Sequence, residues 1–407
     1  MNAPKLRFKD DIHSWSFLKL KDLIIELYQG LNTTSDLKYT KKGIPFLQAK
    51  HITDGLINYE DVRFLDADLY ANVKDKYNPK KNDILFTNRG TIGKSLFIDT
   101  ATDFMIAWNI MLIKVDSGKI NPYLLYLKLS DMEERGYFDS MQTGNATKFI
   151  KKDTLLDLKI GIPTDLKLQN KISYFLQMIN KKIYLQEEKI DLLKKQKKGY
   201  MQKIFSQELR FKDEIGKEYP EWKVYQLSEV VSFFKGQVLS KNDLTQDGQS
   251  CVLYGQLYTL YKEVIDEVVS KTLNTGGFKG EIGDVLIPSS GETSWDIACA
   301  SALRTEALLG GDLNVLRPNK ELVNGEFLAY ILSNNYKAEL SKLAQGATIV
   351  HLYNDSLKLL RIQLPTLKEQ QKIANMLFAF DKKIQKLHMK VAQLELQKQS
   401  LMQQMFI

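Results

Sequence analysis

Internal repetition governs what this chain can fold into. Leu6-Arg7-Phe8-Lys9-Asp10 recurs as Leu209-Arg210-Phe211-Lys212-Asp213, and a tryptophan follows each time, Trp15 and then Trp222. Asn82-Asp83-Ile84-Leu85-Phe86 is echoed by Gly283-Asp284-Val285-Leu286-Ile287. Gly144 matches Gly346, Asp153 matches Asp355, and Ile162-Pro163-Thr164 matches Leu364-Pro365-Thr366. Asn180-Lys-Lys-Ile183 answers Asp381-Lys-Lys-Ile384, and Met201-Gln202 answers Met402-Gln403. An ordered series at an offset of 201 to 202 residues over most of a 407-residue chain is a duplication. The helical stretches match well, whereas the globular stretches match only at framework positions and differ in their loops. That contrast implies one scaffold carrying two different surfaces.

The helical stretches begin after Pro163 and Pro365, where the sequence turns rich in Lys, Gln, Leu and Ile and free of proline. Ile172, Leu176, Ile179, Ile183, Gln186, Ile190, Leu193, Lys197, Tyr200 and Ile204 alternate by four and three, the coiled-coil period. The second copy reads Ile373, Leu377, Phe380, Ile384, Leu387, Val391, Leu394, Lys398, Leu401 and Met405. Each helix would be about 55 to 60 Å long at 1.5 Å per residue. Neither can bury its stripe alone, so the two are expected to bury each other. A pseudo-twofold pairing makes them antiparallel and returns the N-terminus to the end of the second helix. Lys197 and Lys398 interrupt the stripes at the same place. A polar residue there can fix register, but the simpler expectation is a lysine stretching to solvent near a frayed end. The first helix is lysine-rich against three acids, Glu187, Glu188 and Asp191. It suits a solvated face, nearby DNA phosphate or an acidic partner.

Each globular stretch holds short β-type runs set off by Gly, Asn, Asp and Pro. They are Ile44–Leu47, Asp83–Phe86 and Ile110–Ile113, then Cys251–Tyr254, Asp284–Ile287 and Leu313–Leu316. A helical patch closes each copy, Pro122–Leu127 and Glu326–Leu332, followed by a glycine-containing polar loop, Gln142–Lys148 and Gln345–His351. The class is α+β: two globular α/β domains in pseudo-twofold tandem repeat, separated by two long antiparallel coiled-coil helices. The boundaries are 1–150 for the first domain, 151–206 for its helix region, 207–352 for the second domain and 353–407 for the last helix region.

Composition narrows the function. The formal net charge of +8 favours an anionic partner, most often nucleic acid. The two cysteines, Cys251 and Cys299, form no CxxC, which argues against a disulfide framework or structural zinc and fits a reducing cytosol. The first residues carry charges where a signal peptide needs an apolar core. No stretch approaches the roughly 18 to 20 apolar residues of a membrane span. A cytoplasmic protein away from membranes is expected.

Catalytic motifs fail one by one. Asn88-Arg-Gly-Thr-Ile-Gly93-Lys94-Ser95 approaches a phosphate-cradling loop but has Asn at the first glycine, and the second copy, Ser289 to Trp295, has no Gly-Lys. Asn121-Pro122-Tyr123 lacks the second proline of an adenine methylation motif, and the second copy reads Asn324-Gly325-Glu326. Asp165-Leu-Lys167 hints at a nuclease pair that the second copy loses. His13, His51, His351 and His388 do not cluster. The chain is expected to be non-catalytic, with no metal site.

Two divergent domains, each ending in a glycine-containing loop, a proline and a lysine- and glutamine-rich coiled-coil helix, resemble the specificity subunit (HsdS) of type I restriction–modification enzymes. Asn82 to Lys94 is similar to the central motif of that family's target domains, and Leu364-Pro-Thr-Leu-Lys-Glu-Gln-Gln-Lys-Ile-Ala374 to its conserved region. The resemblance spans essentially the whole chain and departs at Ser289–Trp295. It implies two target recognition domains, each reading one half of a bipartite, asymmetric site in double-stranded DNA. It implies helices that set the gap between half-sites and dock two methyltransferase (HsdM) subunits, which restriction/translocase (HsdR) subunits join. It implies no cofactor on this chain, with S-adenosylmethionine, ATP and Mg used by the partners.

On that reading loop side chains read base edges and cations hold phosphate. The candidates are Asn88, Arg89, Thr91, Lys94, Thr147 and Lys148 in the first domain. In the second they are Ser289, Ser290, Glu292, Thr293, Thr348 and His351. Tyr254 and Tyr258 are expected in the core. The alternatives are a non-catalytic coiled-coil scaffold with two protein-binding domains, or an orphan DNA-binding subunit outside restriction.

Overall fold

The computed structural model describes residues 4–9, 14–32, 39–53, 55–101, 103–143 and 148–406. The chain divides into two compact units, one formed by Met1–Gln186 with Lys390–Ile407 and the other by Glu187–Met389. Each contains one α+β domain and part of each long helix, which run Leu166–Phe205 and Leu367–Met405.

In the first unit an antiparallel sheet runs in the order Ile24–Gln29, Ile110–Val115, Ile84–Thr87, Ser95–Phe97. Its middle strands are apolar on both faces because both faces are covered. Ile84, Phe86, Met111 and Ile113 join a core with Leu125 and Leu129 of the helix Pro122–Glu134. Leu85, Ile110 and Leu112 join another with Leu47 and Ile106 of a second sheet. The second unit repeats this. Val231–Lys235, Leu313–Pro318, Val285–Pro288 and Ser301–Leu303 take the same order, with Val285 and Ile287 facing one core and Leu286 and Val315 the other. The strand expected at Cys251–Tyr254 runs instead Gln249–Val252, because the chain turns at Tyr254 into the short helix Gln256–Thr259. Tyr254 packs against the core, but Tyr258 is exposed.

A two-stranded ribbon then carries the chain to each long helix. Trp15–Lys19 pairs antiparallel with Lys159–Pro163, and Lys223–Gln226 with Arg361–Leu364. One glutamine in the first turn locks each junction. Gln169, 1% exposed, donates to the Pro163 carbonyl at 2.9 Å and accepts from the Asn121 backbone N–H at 2.8 Å. Gln370, fully buried, donates to the Pro365 and Leu322 carbonyls, each at 2.9 Å, and accepts from the Asn324 N–H at 2.9 Å. Asn121 and Asn324 in turn cap the domain helices, accepting from the Leu124 and Phe327 N–H groups. The residues that fell short of a methylation motif are therefore helix caps.

Within each unit the two long helices run antiparallel. In the first, Leu168, Ile172 and Leu176 pack with Met402, Met405 and Phe406. In the second, Ile204 and Phe205 pack with Ile373, Ala374 and Leu377. Ile183, Ile190, Leu193, Ile384, Val391 and Leu394 are also buried, while Ile179, Phe380 and Leu387 are half-buried. Leu6 donates its N–H to the Gln404 carbonyl at 2.9 Å, and Leu209 donates to the Lys203 carbonyl at 2.9 Å. The start of each copy thus hooks onto the end of a long helix, the cyclic path expected of the repeat.

Lys197 departs from expectation. Its side chain is 12% exposed and reaches inward rather than to solvent, bonding both Asp381 carboxylate oxygens at 2.7 and 2.8 Å. The Tyr330 hydroxyl donates to the same carboxylate at 2.6 Å, and Glu263 lies 3.6 Å from the ammonium. The counterpart of Tyr330 in the first unit is Leu127, and the next residue, Lys128, is 3% exposed with its ammonium over the rings of Phe406 and Trp15. Burial lowers its pKa from 10.5 to about 8, with Asp131 opposing the shift.

Two outcomes follow. Gln370→Ala strands the Asn324 N–H and two carbonyls, so urea unfolding should register a loss of about 3 kcal/mol, against under 0.5 kcal/mol for exposed Gln393→Ala. Between pH 8 and 10.5 the unfolded chain holds the Lys128 proton that the folded chain releases, so this residue makes stability rise with pH, on the order of 3 kcal/mol across that window. Lys128→Met should flatten that part of the stability profile. An unchanged slope would rule the assignment out.

Candidate nucleic-acid interface

In the first domain the strand Ile84–Thr87 ends in a loop that closes on itself. Thr87 and Lys94 share a backbone bond at 2.9 Å, and the Gly93 N–H donates to the Thr87 carbonyl at 2.8 Å. Gly93 has φ +90°, and a Cβ there would come within 2.9 Å of Phe138. A strand follows, Ser95–Phe97, so no helix N-terminus meets the loop and the Gly-Lys pair is part of a turn, not a phosphate cradle. Lys94 pairs with Glu133 at 3.1 Å, and the Thr91 hydroxyl donates to the Ala49 carbonyl at 3.0 Å. Both are engaged in the fold's own bonding.

Asn88 and Arg89 instead meet the glycine-containing loop. The Ile150 N–H donates to the Asn88 carbonyl at 2.9 Å, and the Asn88 amide donates back to the Ile150 carbonyl at 3.4 Å. Thr143 and Phe149 exchange two backbone bonds at 2.9 Å, closing the mouth of the loop, and Arg89 bridges to Phe149. Asn88 is buried by this seam, and Lys148 is exposed beside it. Thr147 lies outside the described residues. Lys151 and Lys152 are exposed next to the seam, although nothing in the sequence sets them apart from other surface lysines.

The second domain builds the same seam. The Leu352 N–H donates to the Ser289 carbonyl at 3.0 Å, Gln345 and His351 exchange bonds at 2.9 and 2.7 Å, and Ser290-Gly291 pairs with Val350-His351. Gly346 turns the loop at φ +128°, where a Cβ would meet the Ile349 carbonyl oxygen at 2.1 Å. Ser290 is buried, and the Thr293 hydroxyl caps the short helix Ser294–Ile297, accepting from the Asp296 N–H at 3.1 Å and donating to its carboxylate at 2.5 Å. Glu292 and Thr348 are exposed, and His351 stacks on Tyr353 with ring centroids 5.9 Å apart.

Framework bonds are shared and side chains are not. The first seam carries Arg89, Lys148, Lys151 and Lys152; the second carries Glu292, Asp296 and a half-exposed Trp295 under the Lys337 ammonium. Trp295, Tyr353 and Trp108 escaped the sequence reading because a lone aromatic ordinarily signals core. Among the described residues, no group of three His, Cys, Asp or Glu is placed to hold a metal, and no helix is long and apolar enough to cross a membrane.

Comparison with known proteins gives one consistent answer. The family model for the type I restriction modification DNA specificity domain matches twice, at residues 13–195 and 219–396. Two type I restriction enzyme specificity subunits of Methanocaldococcus jannaschii are similar. MjaX is 26% identical, covering 98% of this chain and 95% of its own, and MjaVIII is 25% identical, covering 88% and 84%. The crystal structure of the S subunit of a type I restriction–modification system from M. genitalium superposes with a TM-score of 0.66 at 17% identity, covering 100% of this chain and 99% of that one. A chain from a structural study of type I complex assembly gives 0.55 at 16% identity, covering 97% and 98%. With two matched copies of its domain covering most of its length, the chain belongs to the type I restriction–modification DNA specificity family.

Proposed function

We propose that this chain is the non-catalytic DNA-reading subunit of a type I restriction–modification complex, each globular domain reading one half of a bipartite, asymmetric site. The observation that carries the reading is the repeated seam, which keeps its backbone bonds at Asn88/Ile150 and Ser289/Leu352 while changing the side chains around them. A common frame with divergent side chains suits two readers of one polymer whose backbone is uniform and whose bases differ. Coupling two weak readers through stiff helices gains affinity by effective concentration only at correctly spaced half-sites.

The helices also serve docking. Tyr174, Met178 and Leu185 expose an apolar face on the first long helix, flanked by lysines. Such a face fits the partner methyltransferase subunits, which would use S-adenosylmethionine, while restriction/translocase subunits would use ATP and Mg.

Two measurements test the reading. Replacing Lys148, Lys151 and Lys152 together by Ala should weaken DNA binding by the complex and lower the slope of log affinity against log salt by about 2 to 3. An unchanged slope would remove phosphate contact from this seam. Inserting one heptad into both long helices, near Gln186 and Val391, adds about 10 Å of rise, close to three base pairs. Methylation mapping should then return the same two half-sequences with a longer gap; an unchanged gap would refute the spacer role.

A further inference from the structure

We propose that Arg89 reads a guanine in the half-site addressed by the first domain, gripping its O6 and N7 with a guanidinium packed against Trp108 and Phe149. The inference rests on the DNA-reading function above and gives that seam a base. The Arg89 guanidinium carbon lies 4.5 Å from the Trp108 ring centroid and 4.6 Å from that of Phe149. Packing against two rings limits the directions in which the group can turn its N–H donors. Its Nε is buried and has no hydrogen-bond partner, and no carboxylate pairs with it among the described residues. Arg89 lines a cleft of about 260 Å³ together with Gln29, Asn88, Lys151, Lys152 and the two rings. A guanidinium fork with unused donors matches a planar pair of acceptors, and in the DNA grooves that pair is the major-groove edge of guanine.

A phosphate has two acceptor oxygens as well, but the exposed Lys148, Lys151 and Lys152 beside the seam are the point charges suited to it. Backbone bonds fix the equivalences. The Asn88 N–H donates to the Asn109 carbonyl as the Ser289 N–H does to that of Asp312, so Trp108 corresponds to Gly311. The Arg89–Phe149 bridge corresponds to the Ser290–His351 pair. The whole stack Trp108–Arg89–Phe149 is thus replaced by Gly311–Ser290–His351, although the seam beneath it is unchanged. The stack belongs to one domain alone, as a residue that sets one half-site apart from the other must.

The test uses the full chain with its methyltransferase partner. Methylation mapping first gives the motif. Duplexes carrying 7-deazaguanine, which lacks N7, are then compared at each guanine. The wild type should lose roughly tenfold or more at one guanine of one half-site. Arg89→Lys keeps the charge but not the fork, and Arg89→Met keeps an unbranched side chain against the rings without charge. Both should abolish that sensitivity and accept other bases at that position, while the second half-site stays fixed and the melting temperature stays near wild type. If every guanine tolerates the N7 deletion, or if Arg89→Lys binds as the wild type does while Arg89→Met weakens all sequences equally, Arg89 is a phosphate contact and the proposal falls. A wild-type complex with no sequence preference would instead overturn the DNA-reading function itself.

Discussion

A buried amide at the root of each long helix holds the architecture together. Gln169 and Gln370 each tie the cap of a domain helix to the carbonyl of the proline that ends the ribbon. Three elements become one rigid joint: the capped helix, the ribbon strand and the first turn of the long helix. A long helix leaving a flexible root would carry no information about where its domain points. A helix rooted in a fully satisfied polar joint does, because each group at the joint is costly to expose unpaired.

The heptad stripe supplies the second half of the constraint. Its burial needs an antiparallel partner, and each unit provides one from the other end of the chain's repeat. The unit boundaries therefore do not follow the order of the chain, since residues 390–407 belong with the first domain. The lysines that interrupt the stripe are not equivalent in their surroundings. Lys197 meets Asp381 and Glu263, whereas at the position of Asp381 the first unit has Asn180, which donates to the Tyr123 hydroxyl at 2.5 Å. Breaking a buried pair of this kind leaves an uncompensated charge, so the pairing selects against other registers more than it adds stability.

Much of this was legible in the sequence because period and repetition are local signals. The stripes, the central strands and the glycine-containing loops all follow from spacing. The joints were not legible: Gln169 and Gln370 read as ordinary helix surface, and Asn121 as half of a methylation motif, since hydrogen bonds across some 50 positions leave no local pattern. The candidate interface was legible only in part. The two loops stand out in the sequence and meet in the structure, which buries Asn88 and Ser290, turns Lys94 onto Glu133 and assigns Thr293 to a helix cap. Such residues hold the loops and leave the flanking side chains to vary, which is why residue type alone did not separate frame from reader.

The most direct test of one scaffold with two different readers is guanine and adenine methylation interference across DNA bound by the chain with its methyltransferase partner. The account predicts two clusters of interference on the duplex, of unlike base sequence, separated by base pairs that tolerate any modification. A single continuous cluster, or two clusters of the same sequence, would contradict it.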